Sequence, residues 1–208
     1  MNYTSIIPSR VTATTEPRPA DAADPSAIEA LFDRASACDA NFRAHALGVA
    51  ALSVRIGAAL GLRPLELEIL ALAANLHDVG KLRVASFILA KPGPLDESEW
   101  AAMRRHPAEG ARLLAPLVSS AELLAIVRSH HERWDGAGYP EGLSAEQIPL
   151  GARIVAVVDA FCAMIEPRAY RPSLDQEAAR SELVAQAGRQ FDPACAEAAH
   201  RLTGAAAP

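Results

Sequence analysis

The chain has 208 residues, of which 50% are apolar but only 5% aromatic, and it carries a net charge of −5. Alanine and leucine dominate the apolar share and favour helix, whereas strand formers are sparse, so composition argues against an all-β fold and against wholesale disorder. No basic surplus exists to hold polymeric nucleic acid or an anionic membrane; a small anionic ligand needs local cationic help.

Residues 1–24 carry Pro8, Pro17 and Pro19 among small polar residues and read as a flexible N-terminal arm. Residues 25–203 read as a single domain, and 204–208 as a frayed tail. The arm is too short for a sensor domain, so control is expected from expression, oligomerisation, metal state or a partner protein. Cys38, Cys162 and Cys195 lie far apart and are odd in number, which suits reduced thiols rather than a disulfide framework or zinc ribbon. No signal-peptide core is present, and the longest apolar run, near 154–165, contains Asp159 and is too short to span a bilayer. A cytoplasmic protein without membrane insertion is expected.

Periodicity predicts helices near 26–37, 42–60, 64–78, 97–114, 119–131, 150–165, 174–187 and 193–203, with a short turn of helix at 84–89. Their starts are punctuated by capping-box patterns at Ser26/Glu29, Asp96/Glu99, Ser119/Glu122, Ser144/Gln147 and Ser173/Gln176. Pro64 and Pro193 suit first helical positions, the latter behind Asp192 as cap. The long non-helical piece, Trp134 to Leu150, is rich in glycine and proline; loops of that length are often functional.

Several polar residues stand where apolar ones belong. His77 and Asp78 close an apolar helix, with Gly80 as a stop signal and Lys81 beyond it. Asp159 sits inside Ile154-Val-Ala-Val-Val-Asp-Ala-Phe, where nearly every helical face is apolar, so its carboxylate is expected to be buried and to want a cation: a metal, or an Arg or Lys partner. His130 and His131 end another apolar helix. Adjacent helical residues point about 100° apart, so the two serve neighbouring metals, or one binds directly and the other less centrally. His45 lies one turn into a helix and His106 mid-helix; either alone fits a structural role. Together His45, His77, Asp78, His106, His130, His131 and Asp159 form a thiolate-free set that suits iron, manganese, zinc or similar divalent ions. Seven ligands exceed one tetrahedral site but fit two metals sharing a carboxylate, an arrangement that recurs in phosphatases and nucleases. Trp100 and Trp134 read as packing residues, and Arg104-Arg105 as a solvated helix face.

At this constellation the chain resembles a known family. His77-Asp78-x-Gly80-Lys81 matches the signature of HD-domain phosphohydrolases. His130-His131-Glu132-Arg133-Trp134-Asp135-Gly136-Ala137-Gly138-Tyr139-Pro140 matches the longer signature of the HD-GYP subgroup. The resemblance covers about residues 39–195. It implies an all-α fold, an HD-domain helical bundle with the additional C-terminal helices of the subgroup. It also implies a metal-dependent phosphodiesterase that opens cyclic di-GMP to linear pGpG and, in some members, on to GMP, with a hydroxide between two metals as nucleophile. Iron or manganese is favoured, with zinc, nickel or cobalt as alternatives. By the same resemblance the seven residues above are the metal ligands, with Asp78 bridging and His77, Asp78 and Lys81 catalytic. Lys81, Gly138, Tyr139, Pro140, Arg168 and Arg171 contact substrate.

Departures from the family pattern are also legible. Asn41 stands where some members carry a third-metal glutamate, which favours two metals over three. Cys162 replaces a carboxylate near Lys81 and is a redox liability, and Ala169 interrupts the usual run before Tyr170-Arg171. The Cys162 and Ala169 departures motivate an alternative function, a catalytically weak adaptor that binds a cyclic dinucleotide or a cyclase-domain partner through the GYP loop. A homodimer is a further expectation.

Overall fold

The structure is a computed structural model that describes residues 25–166 and 173–204. The arm expected over 1–24, residues 205–208 and the substrate contacts expected of Arg168 and Arg171 lie outside the described residues, as does Ala169. The described residues form helices α1 (Pro25–Cys38), α2 (Phe42–Ala59), α3 (Pro64–Leu76), α4 (Ser86–Leu89), α5 (Glu97–Met103), α6 (His106–Leu114), α7 (Ala121–Ser129), α8 (Leu150–Ile165), α9 (Gln176–Ala185) and α10 (Pro193–Gly204). Short 3₁₀ turns occupy Val79–Arg83 and Ala145–Gln147. Among the described residues no sheet forms, and one isolated bridge joins Ala187 to Phe191. The fold is all-α. No helix among these residues is long and apolar enough to cross a membrane.

α2 packs against α3 and α8, α3 against α7, and α6 against both α7 and the Val79–Arg83 turn. α9 and α10 pair with each other and lean on α8. The core that joins them is aliphatic: Val49, Ile56, Leu70, Leu76, Leu114, Ile126, Ile154 and Val158 are all nearly inaccessible. Ala73, Ala74, Ala152, Ala196, Ala198 and Ala199 are equally buried. Alanine costs little side-chain entropy in a helix and lets neighbouring backbones approach.

Caps fall close to their expected places. The Asp96/Glu99 box forms at α5, and the Ser144/Gln147 box opens the Ala145–Gln147 turn. Asp192 accepts hydrogen bonds from the backbone N–H groups of Ala194 and Cys195 ahead of Pro193. Elsewhere the cap shifts along the chain. Ser120 rather than Ser119 caps α7, accepting from Leu123 N, and Asp175 rather than Ser173 caps α9, accepting from Ala178 N. Ser26 lies inside α1, which begins at Pro25.

Three helices differ from expectation at consequential places. The helix expected over 64–78 stops at Leu76, and the one over 119–131 stops at Ser129, so that His77, Asp78, His130 and His131 lie in the turns beyond. The helix expected over 97–114 is two helices, with Arg104 and Arg105 between them. Pro107 explains the break: it has no N–H to donate, and its ring clashes with the carbonyl four residues earlier, that of Met103. His106 is therefore the first residue of α6 rather than a mid-helix residue.

Candidate metal centre

Each break leaves a helix-end carbonyl without an intrahelical donor. A histidine three residues on supplies one. His77 Nδ1 donates to Ala74 O at 2.7 Å, His106 Nδ1 to Met103 O at 2.8 Å, and His130 Nδ1 to Val127 O at 2.7 Å. A carbonyl can only accept, so all three rings carry a proton on Nδ1, and in the neutral ring that leaves Nε2 bare. The same local device thus ends the helices and aims the rings.

The Nε2 atoms converge. Asp78, His106, His130 and His131 each offer a ligand atom within 4.8 Å of one another, and so do His45, His77 and Asp159. Asp78 faces both groups: Oδ1 lies 3.2 Å from His106 Nε2, and Oδ2 lies 3.4 Å from His77 Nε2. His130 and His131 fall in the same group, not in neighbouring ones. Beyond Ser129 the chain has left the helix, so the helical 100° no longer applies and the ring centroids approach to 4.1 Å.

Without a cation this geometry is unfavourable. His106 Nε2 and His130 Nε2 stand 3.3 Å apart, both acceptors only. His77 Nε2 and Asp78 Oδ1 are buried with no hydrogen-bond partner. A buried unsatisfied polar atom costs about 1–3 kcal/mol. Imidazole and carboxylate donors in two groups around one shared carboxylate fit a pair of divalent metal ions.

Charge is already arranged for that role. Burial disfavours the charged form of Asp78, but Lys81 and His77 outweigh it and hold the carboxyl well below its usual range. Burial opposes ionisation of Asp159 too, and its bond to His45 keeps the carboxyl ionised nonetheless. Burial and neighbouring imidazoles push His130 well down, and burial brings His131 to about 4, so both rings are neutral with free lone pairs. In His45 burial lowers the pKa, but Asp159 and then Glu166 raise it to about 9. Lys81 Nζ lies 2.5 Å from Asp78 Oδ2, so it finds a carboxylate despite the replacement at Cys162. The Cys162 thiol is buried and pushed up to about 12 by that burial and by Glu166, which corrects its reading as a redox liability. Asp159 is less enclosed than expected, with 21% of its side chain exposed where α8 borders the cluster.

The loop after His131 folds back over the cluster. Tyr139 N donates to His131 O at 3.2 Å, and the Tyr139 ring lies 5.0 Å from that of His131. Trp134 N and Asp135 N donate to Gln190 O and Arg189 O, which ties the loop to the segment before α10. Gly138 passes so close that a Cβ there would overlap Glu132 Cα and Arg133 N. Gly80 is constrained likewise: a Cβ would overlap the His106 carbonyl oxygen.

Three residues escaped the sequence reading. Glu166 holds His45 Nδ1 at 3.1 Å through both carboxylate oxygens; its signal was the seven-residue step from Asp159, two turns along the same helical face. Glu132, within the motif but given no role, is 3% exposed and accepts from Glu141 N at 2.7 Å and Leu143 N at 3.1 Å. Arg104 is exposed, as expected of a solvated face, but it also lies over the Tyr139 ring, 5.6 Å from its centroid. Trp100 is 47% exposed rather than packed.

The family model described as HD domain matches residues 25–195. The chain belongs to the HD domain family, in its HD-GYP branch. This HD-GYP chain is 46% identical over 143 residues to the cyclic di-GMP phosphodiesterase response regulator RpfG of Xanthomonas campestris, covering 67% of its own length and 37% of that protein. It is 38% identical over 176 residues to the 3'3'-cGAMP-specific phosphodiesterase 2 of Vibrio cholerae, covering 81% of its own length and 33% of the relative's. The chain thus spans about a third of the length of either relative. Among solved structures it resembles a cyclic GMP-AMP specific phosphodiesterase of V. cholerae, with a TM-score of 0.65 at 20% identity over 85% of this chain and 48% of the other. The phosphodiesterase PgpH HD domain of L. monocytogenes gives a TM-score of 0.58 at 14% identity, over 83% of this HD-GYP chain and 94% of the other. These two likenesses support the HD fold.

Proposed function

We propose that the chain is a metal-dependent phosphodiesterase of cyclic dinucleotides, with cyclic di-GMP as first substrate and linear pGpG, then GMP, as products. The observation that carries this is the pair of ligand groups joined by Asp78, with bare Nε2 atoms facing one another. His45, His77 and Asp159 would hold one cation, His106, His130 and His131 the other, and Asp78 both. Two such cations supply Lewis acidity to the phosphoryl oxygens and acidify water at neutral pH. Iron or manganese suits the donor set.

The protein's own groups do the rest. Lys81, anchored on Asp78, places a fixed positive charge at the edge of the cluster, where charge develops on phosphoryl oxygens. Tyr139 is held protonated by burial and by the charge of Asp78, its pKa pushed up to about 12, so it offers a hydrogen bond and does not serve as base. Gly138 and Pro140 shape the loop that carries it. The complete ligand set weighs against a catalytically weak adaptor.

The test is anaerobic purification, elemental analysis, and turnover assays with cyclic di-GMP and 3'3'-cGAMP side by side. Two metals per chain and hydrolysis that disappears in His77→Ala and Asp78→Ala are expected. Metal-replete protein that opens neither nucleotide, with the fold intact by circular dichroism, would overturn the reading.

A further inference from the structure

Trp100 and Arg104 stand four residues apart at the end of α5 and therefore share a face. The Arg104 guanidinium lies 5.9 Å from the Trp100 ring centroid and 5.6 Å from that of Tyr139. Tyr139 in turn lies 5.0 Å from the metal-group ring of His131. A continuous path of π faces thus leads outward from the metal centre: imidazole, phenol, guanidinium, indole. Its outer end is open, since Trp100 is 47% exposed. Arg104 makes no ion pair among the described residues, so its charge is uncompensated there.

We propose that Trp100 and Arg104, with Tyr139, form a stacking platform for a purine base of the substrate. It rests on the phosphodiesterase reading and adds the place where a base is held while its phosphate meets the metals. The chemistry fits one occupant. A nucleobase offers a π face to indole and guanidinium alike, and the phosphate attached to it welcomes the spare positive charge of Arg104. A phosphodiester without a base has nothing to lay on the indole.

The chain contains two tryptophans, so Trp134→Phe leaves Trp100 as sole reporter. Metal-loaded W134F is titrated with guanosine 5'-monophosphate and, in parallel, with ribose 5-phosphate. Saturable quenching of Trp100 emission by the first and none by the second is expected. In turnover assays Trp100→Ala and Arg104→Ala raise KM for cyclic di-GMP, with Trp100→Ala giving about 5- to 100-fold. Both retain kcat and full metal content, and Trp100→Phe recovers most of the KM. Equal quenching by both ligands, no quenching by either, or a wild-type KM in Trp100→Ala would overturn the platform. Failure of the wild-type chain to open any cyclic dinucleotide would overturn the phosphodiesterase reading instead; the base-dependent quench then still decides whether the platform exists.

Discussion

His45 is held differently from the other imidazoles of the centre. It sits inside α2, where carbonyls are already engaged, so no helix-end acceptor is available for its Nδ1. Glu166 takes that place from the end of α8, at 3.1 Å, while Nε2 faces Asp159 at 3.0 Å. A carboxylate behind a ligating imidazole fixes its tautomer and orientation and raises its basicity, and loss of such a partner typically costs about 10- to 100-fold in metal affinity. Glu166→Ala is therefore expected to weaken one of two metal sites by roughly that factor. The other site should hold, because His106 and His130 lean on backbone carbonyls. Glu166→Gln keeps an acceptor oxygen and should fall between. Chelator competition with Mn²⁺, fitted for two sites, reads the difference; equal weakening of both sites would refute the assignment. The seven candidate ligands were legible in part because His and Asp on apolar helices are conspicuous, and in full only through the resemblance carried by the HD-GYP signature. Glu166 was hidden because a glutamate at a helix end looks like ordinary solvated charge.

The helices were legible in existence and blurred in extent. Apolar periodicity runs through His77, His106 and His130 without interruption, so it predicts longer helices than form. What ends them is not a change of period. It is Pro107 in one case, and in the others an imidazole that captures a helix-end carbonyl. The connection after His131 was legible as a loop from its glycines and prolines, but the element that shapes it was not. Glu132 reaches across that loop to two backbone N–H groups, and nothing in its sequence neighbourhood specifies a distant backbone partner. Removing this acceptor strands two amides near a buried position, at about 1–3 kcal/mol for each that stays unsatisfied. Glu132→Ala should accordingly release the Tyr139 loop while sparing the helices. Hydrogen exchange at the Glu141 and Leu143 amides should accelerate far more than exchange in α2 or α8. Unchanged protection at these two amides would show that the loop is held by Gln190 and Arg189 alone.

At the scale of the whole molecule, the centre ties together segments distant in sequence. α2 contributes His45, the turn after α3 His77 and Asp78, α6 His106, the turn after α7 His130 and His131, and α8 Asp159. These are the elements that pack on one another to form the aliphatic core, so metal binding and folding draw on the same contacts. A cation that binds the folded chain and not the unfolded one stabilises it by mass action, about 2.7 kcal/mol at a hundred times Kd. For a chain of this size each kcal/mol moves Tm by about 2–4 °C, so each site that Mn²⁺ fills at that excess should raise the Tm of metal-free protein by roughly 5–11 °C. Asp78→Asn bears on both groups at once and should lose most of this gain. Glu166→Ala, which disturbs one group, should keep a substantial part of it. Calorimetry of the three proteins with and without metal distinguishes a shared centre from two independent ones. Independence would show as a full Mn²⁺ response at one group in Asp78→Asn, and that result would remove the bridging role assigned to Asp78.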